Sequence, residues 1–266
     1  MSKDVRLVLI DIQNDFCDPI GSLYVAGAEE DASRVATMIG RLGSRISKIH
    51  LTMDSHRPFD VAHPIFWTNS DGKHPDPYTP ISVDDVKNGV WLTSIPGLQK
   101  YVLGYVEALA SKGKYGLFIW PEHCCIGTWG HGIFPVVSEA VMDWERDLVT
   151  MSDIVTKGSN PFTEHYSAIE AEVPSDNDPT TQLNTAFIDT LQDADIVAIA
   201  GEALSHCVAN TVNDIIKKFG DDHTKKIVLL TDACSNVTNF EGLGDTFVAE
   251  ATAKGMQVST TIEFLK

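Results

Sequence analysis

Short apolar runs, bounded by polar residues and glycine, recur along the chain at residues 5–10, 46–53, 115–120, 196–200, 227–230 and 257–260. Their length and their content of Val, Ile and Leu predict strands. Between several of them apolar positions return every three to four residues, at 29–42, 181–191, 205–219 and 241–254, and this predicts amphipathic helices. Near-continuous apolar strands alternating with helices predict a parallel sheet covered on both faces, joined by right-handed crossovers. The expected fold class is α/β, a three-layer α/β/α arrangement around a central parallel sheet of about six strands.

Residues 57–114 break the alternation. They hold Pro58, Pro64, Pro75, Pro77, Pro80 and Pro96 and one helical pattern near 98–111. Such a stretch is too long for a structureless loop in a compact domain. It is expected to be an ordered insertion between the second and third strands, packed over one end of the sheet. The chain, 1–266, is expected to be a single domain carrying that insertion. A second irregular stretch, 161–179, is acidic and contains prolines.

Composition narrows the function classes. The formal charge of −17 over 266 residues opposes a polyanionic partner, and no Lys/Arg cluster stands out locally, so nucleic acid is not expected. No apolar run approaches a membrane span and no secretory signal is evident, so no membrane partner and a cytoplasmic location are expected. Cys17, Cys124, Cys125, Cys207 and Cys234 are odd in number and scattered, which points to reduced thiols.

In open α/β sheets, sites form beyond the carboxyl ends of the strands. Reactive side chains fall there repeatedly. Asp11 ends the first strand, Asp54 and His56 the second, and His123 follows the third. Lys157 follows the short run 153–156, and Cys207 follows the strand that ends in Gly201. Cys207 lies in the expected first turn of a helix, where free N–H groups favour a thiolate and can hold an oxyanion. A small buried cysteine is the alternative. Asp11 is a candidate proton acceptor for the thiol or a turn-forming carboxylate, and Lys157 a candidate partner for Asp11 or a solvated loop lysine. Asp54 and His56, at i and i+2 in extended backbone, point the same way and are candidate metal ligands. His123 is a candidate third ligand, and His63 a fourth ligand or a supporting group. His50, His74, His131, His165, His206 and His223 are assigned no metal role. Phe16, Trp120 and Tyr166 lie near these positions and are candidates to hold a flat ligand, with core packing as the other reading.

The combination of Leu9-Ile-Asp-Ile-Gln-Asn-Asp-Phe16, Thr52-Met-Asp-Ser-His56, Trp120-Pro-Glu-His-Cys-Cys-Ile-Gly-Thr128, Lys157-Gly and Gly201-Glu-Ala-Leu-Ser-His-Cys207-Val resembles the isochorismatase-like cysteine hydrolases, most closely their nicotinamidase/pyrazinamidase branch. The resemblance covers nearly the whole chain outside the proline-rich insertion. It implies a sheet order of 3-2-1-4-5-6 and a catalytic triad of Asp11, Lys157 and Cys207. It implies Asp54, His56 and His123 as ligands of a divalent metal, zinc in the first place and iron, manganese or magnesium otherwise. It further implies Phe16, Trp120 and Tyr166 around the substrate ring, a cis peptide between Glu202 and Ala203, and an oxyanion hole from the Ala203 and Cys207 N–H groups. The implied activity is hydrolysis of nicotinamide to nicotinate and ammonia, in a protein that forms homo-oligomers. Hydrolysis of another small amide, carbamate or ureido compound is the nearest alternative, and a non-catalytic ligand-binding member a more distant one. The run before Cys207 and the loop after Lys157 differ from the usual members of that branch.

Overall fold

The computed structural model of the protein describes residues 3–112 and 116–266. Six parallel strands form the central sheet: β1 (Val5–Ile10), β2 (Lys48–Asp54), β3 (Asp153–Lys157), β4 (Ile196–Gly201), β5 (Ile227–Leu230) and β6 (Gln257–Ser259). Their spatial order is β3-β2-β1-β4-β5-β6, the order the resemblance implies. Val8, Leu9, Ile10, Ile49, Ala198, Ile199, Leu229 and Leu230 are fully buried, as expected of strands covered on both faces.

The longer helices are α1 (Ala28–Leu42), α2 (Gln99–Ser111), α3 (Pro135–Leu148), α4 (Thr185–Gln192), α5 (Ala209–Phe219) and α6 (Glu241–Ala253). In α1 the buried positions Ala28, Ala32, Val35, Met38, Ile39 and Leu42 follow the helical period, and Glu29, Glu30 and Asp31 sit in its first turn, where negative charge suits the helix dipole. α1 packs against α3, while α5 packs against α4 and α6. Right-handed crossovers therefore put α1 and α3 on one face of the sheet and α4, α5 and α6 on the other.

One expected strand changes place. Residues 117–118 do not enter the central sheet; they pair antiparallel with 80–81, and Tyr115 lies outside the described residues. The third strand is Asp153–Lys157, beside β2 at the sheet's edge. Its burial alternates, with Ile154 and Thr156 exposed, so it lacks the continuous apolar run that marked the others. The excursion between β2 and β3 is correspondingly longer than 57–114 and includes α3, whose period was not singled out in the sequence. Part of that excursion has its own apolar cluster, with Val61, Phe66, Trp67, Val102, Tyr105, Leu117 and Ile119 buried together. Among the described residues, no helix is long and apolar enough to cross a membrane.

Candidate active site

The sheet order reverses between β1 and β4, which opens a crevice at the carboxyl ends of these strands. Register then decides which side chains meet there. Asp54 pairs with Lys157 across β2 and β3, and Ile10 with Gly201 across β1 and β4. Asp11 follows β1 in the left-handed region, at φ 49°. Its N–H donates to Thr52 O and Oγ1, and Thr52 Oγ1 donates back to Asp11 Oδ1 at 2.5 Å. The carboxylate is thereby turned into the crevice.

Lys157 Nζ lies 2.9 Å from Asp11 Oδ2, 3.0 Å from Asp54 Oδ1 and 3.7 Å from Cys207 Sγ. All four side chains are buried. Burial opposes the lysine's charge, but Asp11 and Asp54 outweigh it and hold the ammonium well above its ordinary range. Burial pushes the Asp11 carboxyl up, against Lys157 and with Asp54. Burial also pushes the Cys207 thiol well up; Lys157 opposes this, while Asp11 and Asp54 add to it. Loss of hydration and two nearby carboxylates thus work against a thiolate here, and the Lys157 charge works for one.

A second cluster adjoins the first. His56 Nε2 lies 3.0 Å from Asp54 Oδ1, and His123 Nε2 lies 3.5 Å from Asp54 Oδ2. Potential ligand atoms of Asp54, His56 and His123 all fall within 4.8 Å of one another. The far nitrogens are committed elsewhere. His56 Nδ1 pairs with Asp60 Oδ2 at 3.0 Å, and His123 Nδ1 meets Pro121 O at 2.8 Å and His63 Nε2 at 3.3 Å. His63 Nδ1 in turn faces the carbonyls of Arg57 and Pro58. His63 thus stands behind His123 and outside the cluster formed by Asp54, His56 and His123. Burial opposes charge on His56, yet Asp54 and Asp60 hold its imidazole well above the ordinary range. That is the electrostatic signature of a place suited to a cation. Gly158 follows Lys157 at φ 79°, and a Cβ there would come within 2.8 Å of Asp54 Oδ1 and 3.1 Å of His56 Cε1. Only glycine suits both the conformation and the gap.

Cys207 comes from a turn whose geometry depends on close backbone approach. A Cβ on Gly201 would lie 2.0 Å from Ile10 O. The Glu202–Ala203 peptide is cis, as the resemblance implies. The helix after it opens with a wide π-type turn, Leu204–Val208, before regular α-helix begins at Ala209. Among the described residues the Ala203 N–H has no carbonyl partner. Phe16, Trp120 and Tyr166 line a narrow cleft with Asp54, His123 and Cys207. Trp120 Nε1 donates to Tyr166 Oη at 3.0 Å.

The crevice therefore brings together Asp11, Lys157 and Cys207 beside Asp54, His56 and His123. Several contributors were not singled out in the sequence. Gln13 brackets Asp54: its Nε2 donates to Asp54 O at 2.8 Å, and its Oε1 accepts Asp54 N–H at 2.7 Å. Asp15 Oδ2 accepts the Cys124 N–H at 2.6 Å and steadies the loop after His123. Glu164 lines the cleft with Oε2 buried and unpartnered, and burial raises its carboxyl to about 8. His206 lines it too, its ring against Trp120, Tyr166 and Phe240. Only Asp60, four residues beyond His56, carried a signal in its spacing.

No family model matches the chain. It is 26% identical over 205 residues to a nicotinamidase of Saccharomyces cerevisiae, covering 77% of this chain and 78% of that protein. It is 24% identical over 237 residues to a nicotinamidase of Escherichia coli, covering 87% and 83%. The chain is thus similar in sequence to two nicotinamidases and has the isochorismatase-like fold. Among solved structures, the nicotinamidase/pyrazinamidase of Acinetobacter baumanii superposes with a TM-score of 0.66 at 22% identity, covering 99% of both chains. The pyrazinamidase of Pyrococcus horikoshii, solved in complex with zinc, superposes with a TM-score of 0.57 at 18% identity, covering 97% and 99%.

Proposed function

We propose that the protein is a metal-assisted cysteine amidohydrolase that converts nicotinamide to nicotinate and ammonia, with Asp11, Lys157 and Cys207 as its catalytic triad. The observation that carries this reading is the contact of one buried ammonium with Asp11, Asp54 and the Cys207 sulfur, groups delivered by four different strands. Its similarity to two nicotinamidases supports the choice of substrate.

In the first half-reaction Cys207 Sγ attacks the carboxamide carbon while its proton passes to Asp11. A carbon–sulfur bond forms, and the carbonyl electrons move to oxygen, beside the Ala203 and Cys207 N–H groups. Lys157 keeps a positive charge next to Asp11 and the sulfur throughout. Asp11 returns the proton to the amide nitrogen, the carbon–nitrogen bond breaks, and ammonia leaves a thioester. In the second half-reaction Asp11 takes a proton from water, whose oxygen bonds to the acyl carbon. The carbon–sulfur bond then breaks, Asp11 returns its proton to sulfur, and the acid departs as nicotinate, its own proton passing to solvent. Phe16, Trp120 and Tyr166 pack around the ring.

Asp54, His56 and His123 fit a divalent metal. Two imidazole nitrogens converge on a carboxylate with their opposite nitrogens already held by Asp60 and by Pro121 and His63. Two imidazoles with one carboxylate suit zinc or iron better than magnesium. Bound there, a metal supplies Lewis-acid binding of a ring nitrogen or a coordinated water. The free cysteines suit a reducing, cytoplasmic setting. We further read the chain as one domain whose long excursion closes over the site.

Ammonia release from nicotinamide by the purified, metal-loaded protein tests the reading, beside a panel of small amides, carbamates and ureido compounds. Cys207→Ala is expected to abolish release while leaving the melting temperature near that of the wild type. An active Cys207→Ala protein would rule out the covalent route, and turnover confined to another panel compound would overturn the substrate.

A further inference from the structure

The Lys157 ammonium has three protons, and four acceptors lie within reach. Besides Asp11 Oδ2, Asp54 Oδ1 and Cys207 Sγ, the backbone carbonyl of His165 sits 3.1 Å from Nζ. A lysine head on a flexible four-carbon stem settles where charge draws it, here between two carboxylates. Sulfur, the weakest acceptor and the farthest, is the contact it would give up first. A fixed neutral acceptor that takes one proton limits this freedom, and the place of that carbonyl is itself set. His165 Nδ1 accepts the N–H of Gly158, the residue after Lys157, at 3.2 Å. The His165 ring is buried. Burial and the neighbouring Lys157 charge lower its pKa to about 3, so the ring is neutral and Nδ1 keeps its lone pair. One residue thus grips two consecutive positions, the Lys157 side chain through its carbonyl and the Gly158 backbone through its ring.

We propose that His165 is a positioning residue for Lys157, holding its ammonium in contact with the Cys207 sulfur as well as with the two carboxylates. The inference rests on reading Lys157 as a member of the triad, and it adds a residue that the triad itself does not contain. Cys207 faces Asp11, Asp54 and Lys157, with His123, Glu164 and His206 around the same cleft; none of these touches the Gly158 N–H.

The test compares His165→Leu, which fills space without an acceptor, with His165→Asn, whose Oδ1 can take the Gly158 N–H in place of Nδ1. In the metal-loaded protein the rate of Cys207 carbamidomethylation at one fixed pH, read on the Cys207 peptide by mass spectrometry, is expected to fall about tenfold in His165→Leu, the equivalent of one pKa unit. His165→Asn is expected to stay within about twofold of wild type, and in His165→Leu kcat should fall with KM little changed. Equal rates in His165→Leu and wild type, or equal losses in both variants, would overturn the assignment. Nitrogen-15 spectra of the wild type supply a check that no folding defect can blur: His165 should be the Nε2–H tautomer, and an Nδ1–H tautomer would sink the proposal. The thiol and tautomer readings need no substrate, so they stand apart from any failure of nicotinamide to turn over.

Discussion

The Lys157 ammonium and the Asp11 carboxylate lie 2.9 Å apart, both buried, with Asp54 3.0 Å from the same ammonium. One cation is therefore shared by two neighbouring carboxylates in a region of low polarity. Replacing it with an uncharged chain of similar length, Lys157→Met, leaves those carboxylates facing each other. Breaking a buried ionic cluster by removing one partner costs roughly 3–5 kcal/mol, and turnover should fall at least about 10³-fold. Urea unfolding and single-turnover assays measure the two effects. A Lys157→Met protein of wild-type stability and turnover would remove the lysine from the site's working parts.

Asp60 holds the outer nitrogen of His56 and so fixes the ring with its inner nitrogen beside Asp54, where a metal would take the place of the proton. Carboxylates in this position fix the tautomer and raise the basicity of a ligating imidazole. Asp60→Asn is therefore expected to weaken metal affinity by about 10–100-fold while the apo fold persists. Competition against a chelator of known affinity gives the number. Unchanged affinity would show that the His56–Asp60 pair serves packing alone.

The catalytic candidates were legible because their positions are local: Asp11 and Cys207 follow apolar strands, Lys157 closes a short one, and these strand ends share one edge of a parallel sheet. What surrounds them was less legible. Gln13 and Asp15 act on Asp54 and on the loop bearing Cys124 through backbone groups more than 40 positions away, and no local pattern announces such bonds. His165 and His206 read as ordinary histidines because nothing in their own segments says what they pack against. The misplaced strand has a plain cause. Leu117 is apolar because it sits in the excursion's own core and Phe118 because it packs against Trp120 and Phe240, whereas β3 is an edge strand with one face in solvent. Glu164 was hidden by its chemistry, since a glutamate in an acidic, proline-containing stretch reads as solvated, yet the chain folds it beneath Tyr105.

The excursion touches the site through that same contact. Tyr105 Oη, on α2, accepts the Glu164 N–H at 3.0 Å, and Tyr101 Oη donates to Phe162 O at 2.7 Å. Tyr105→Phe leaves a buried N–H unpaired, a cost of about 1–3 kcal/mol. The strain falls on the loop carrying Glu164 and Tyr166, so kcat/KM should drop about tenfold, equivalent to 1.4 kcal/mol of transition-state stabilisation. Steady-state kinetics and thermal melts together decide it. Lost stability with unchanged kcat/KM would make the contact purely structural.

His206 offers a handle on acid sensitivity. Burial lowers its imidazole from the usual 6.5 to about 4, with Trp120, Tyr166 and Phe240 packed against the ring. The folded protein thus keeps it neutral where the unfolded chain would protonate it. Between those two values the unfolded state binds more protons, so stability rises with pH there. Conversely, this contribution is intact above about pH 6.5, declines as pH falls through the window, and levels off below about pH 4. His63 and His165, lowered to about 4 and about 3, act in the same direction, so the wild-type slope exceeds that of a single group. His206→Phe keeps an aromatic ring in the cage and removes one titration. The drop in unfolding free energy from pH 7 to pH 5 should shrink by roughly 2 kcal/mol in the variant, since one pKa unit corresponds to 1.36 kcal/mol. Urea unfolding at the two pH values gives this difference directly, independent of any change in stability at pH 7. A variant with the full wild-type slope would mean that the folded protein accommodates the charged ring, and with it a cleft more open to water than the packing around His206 describes.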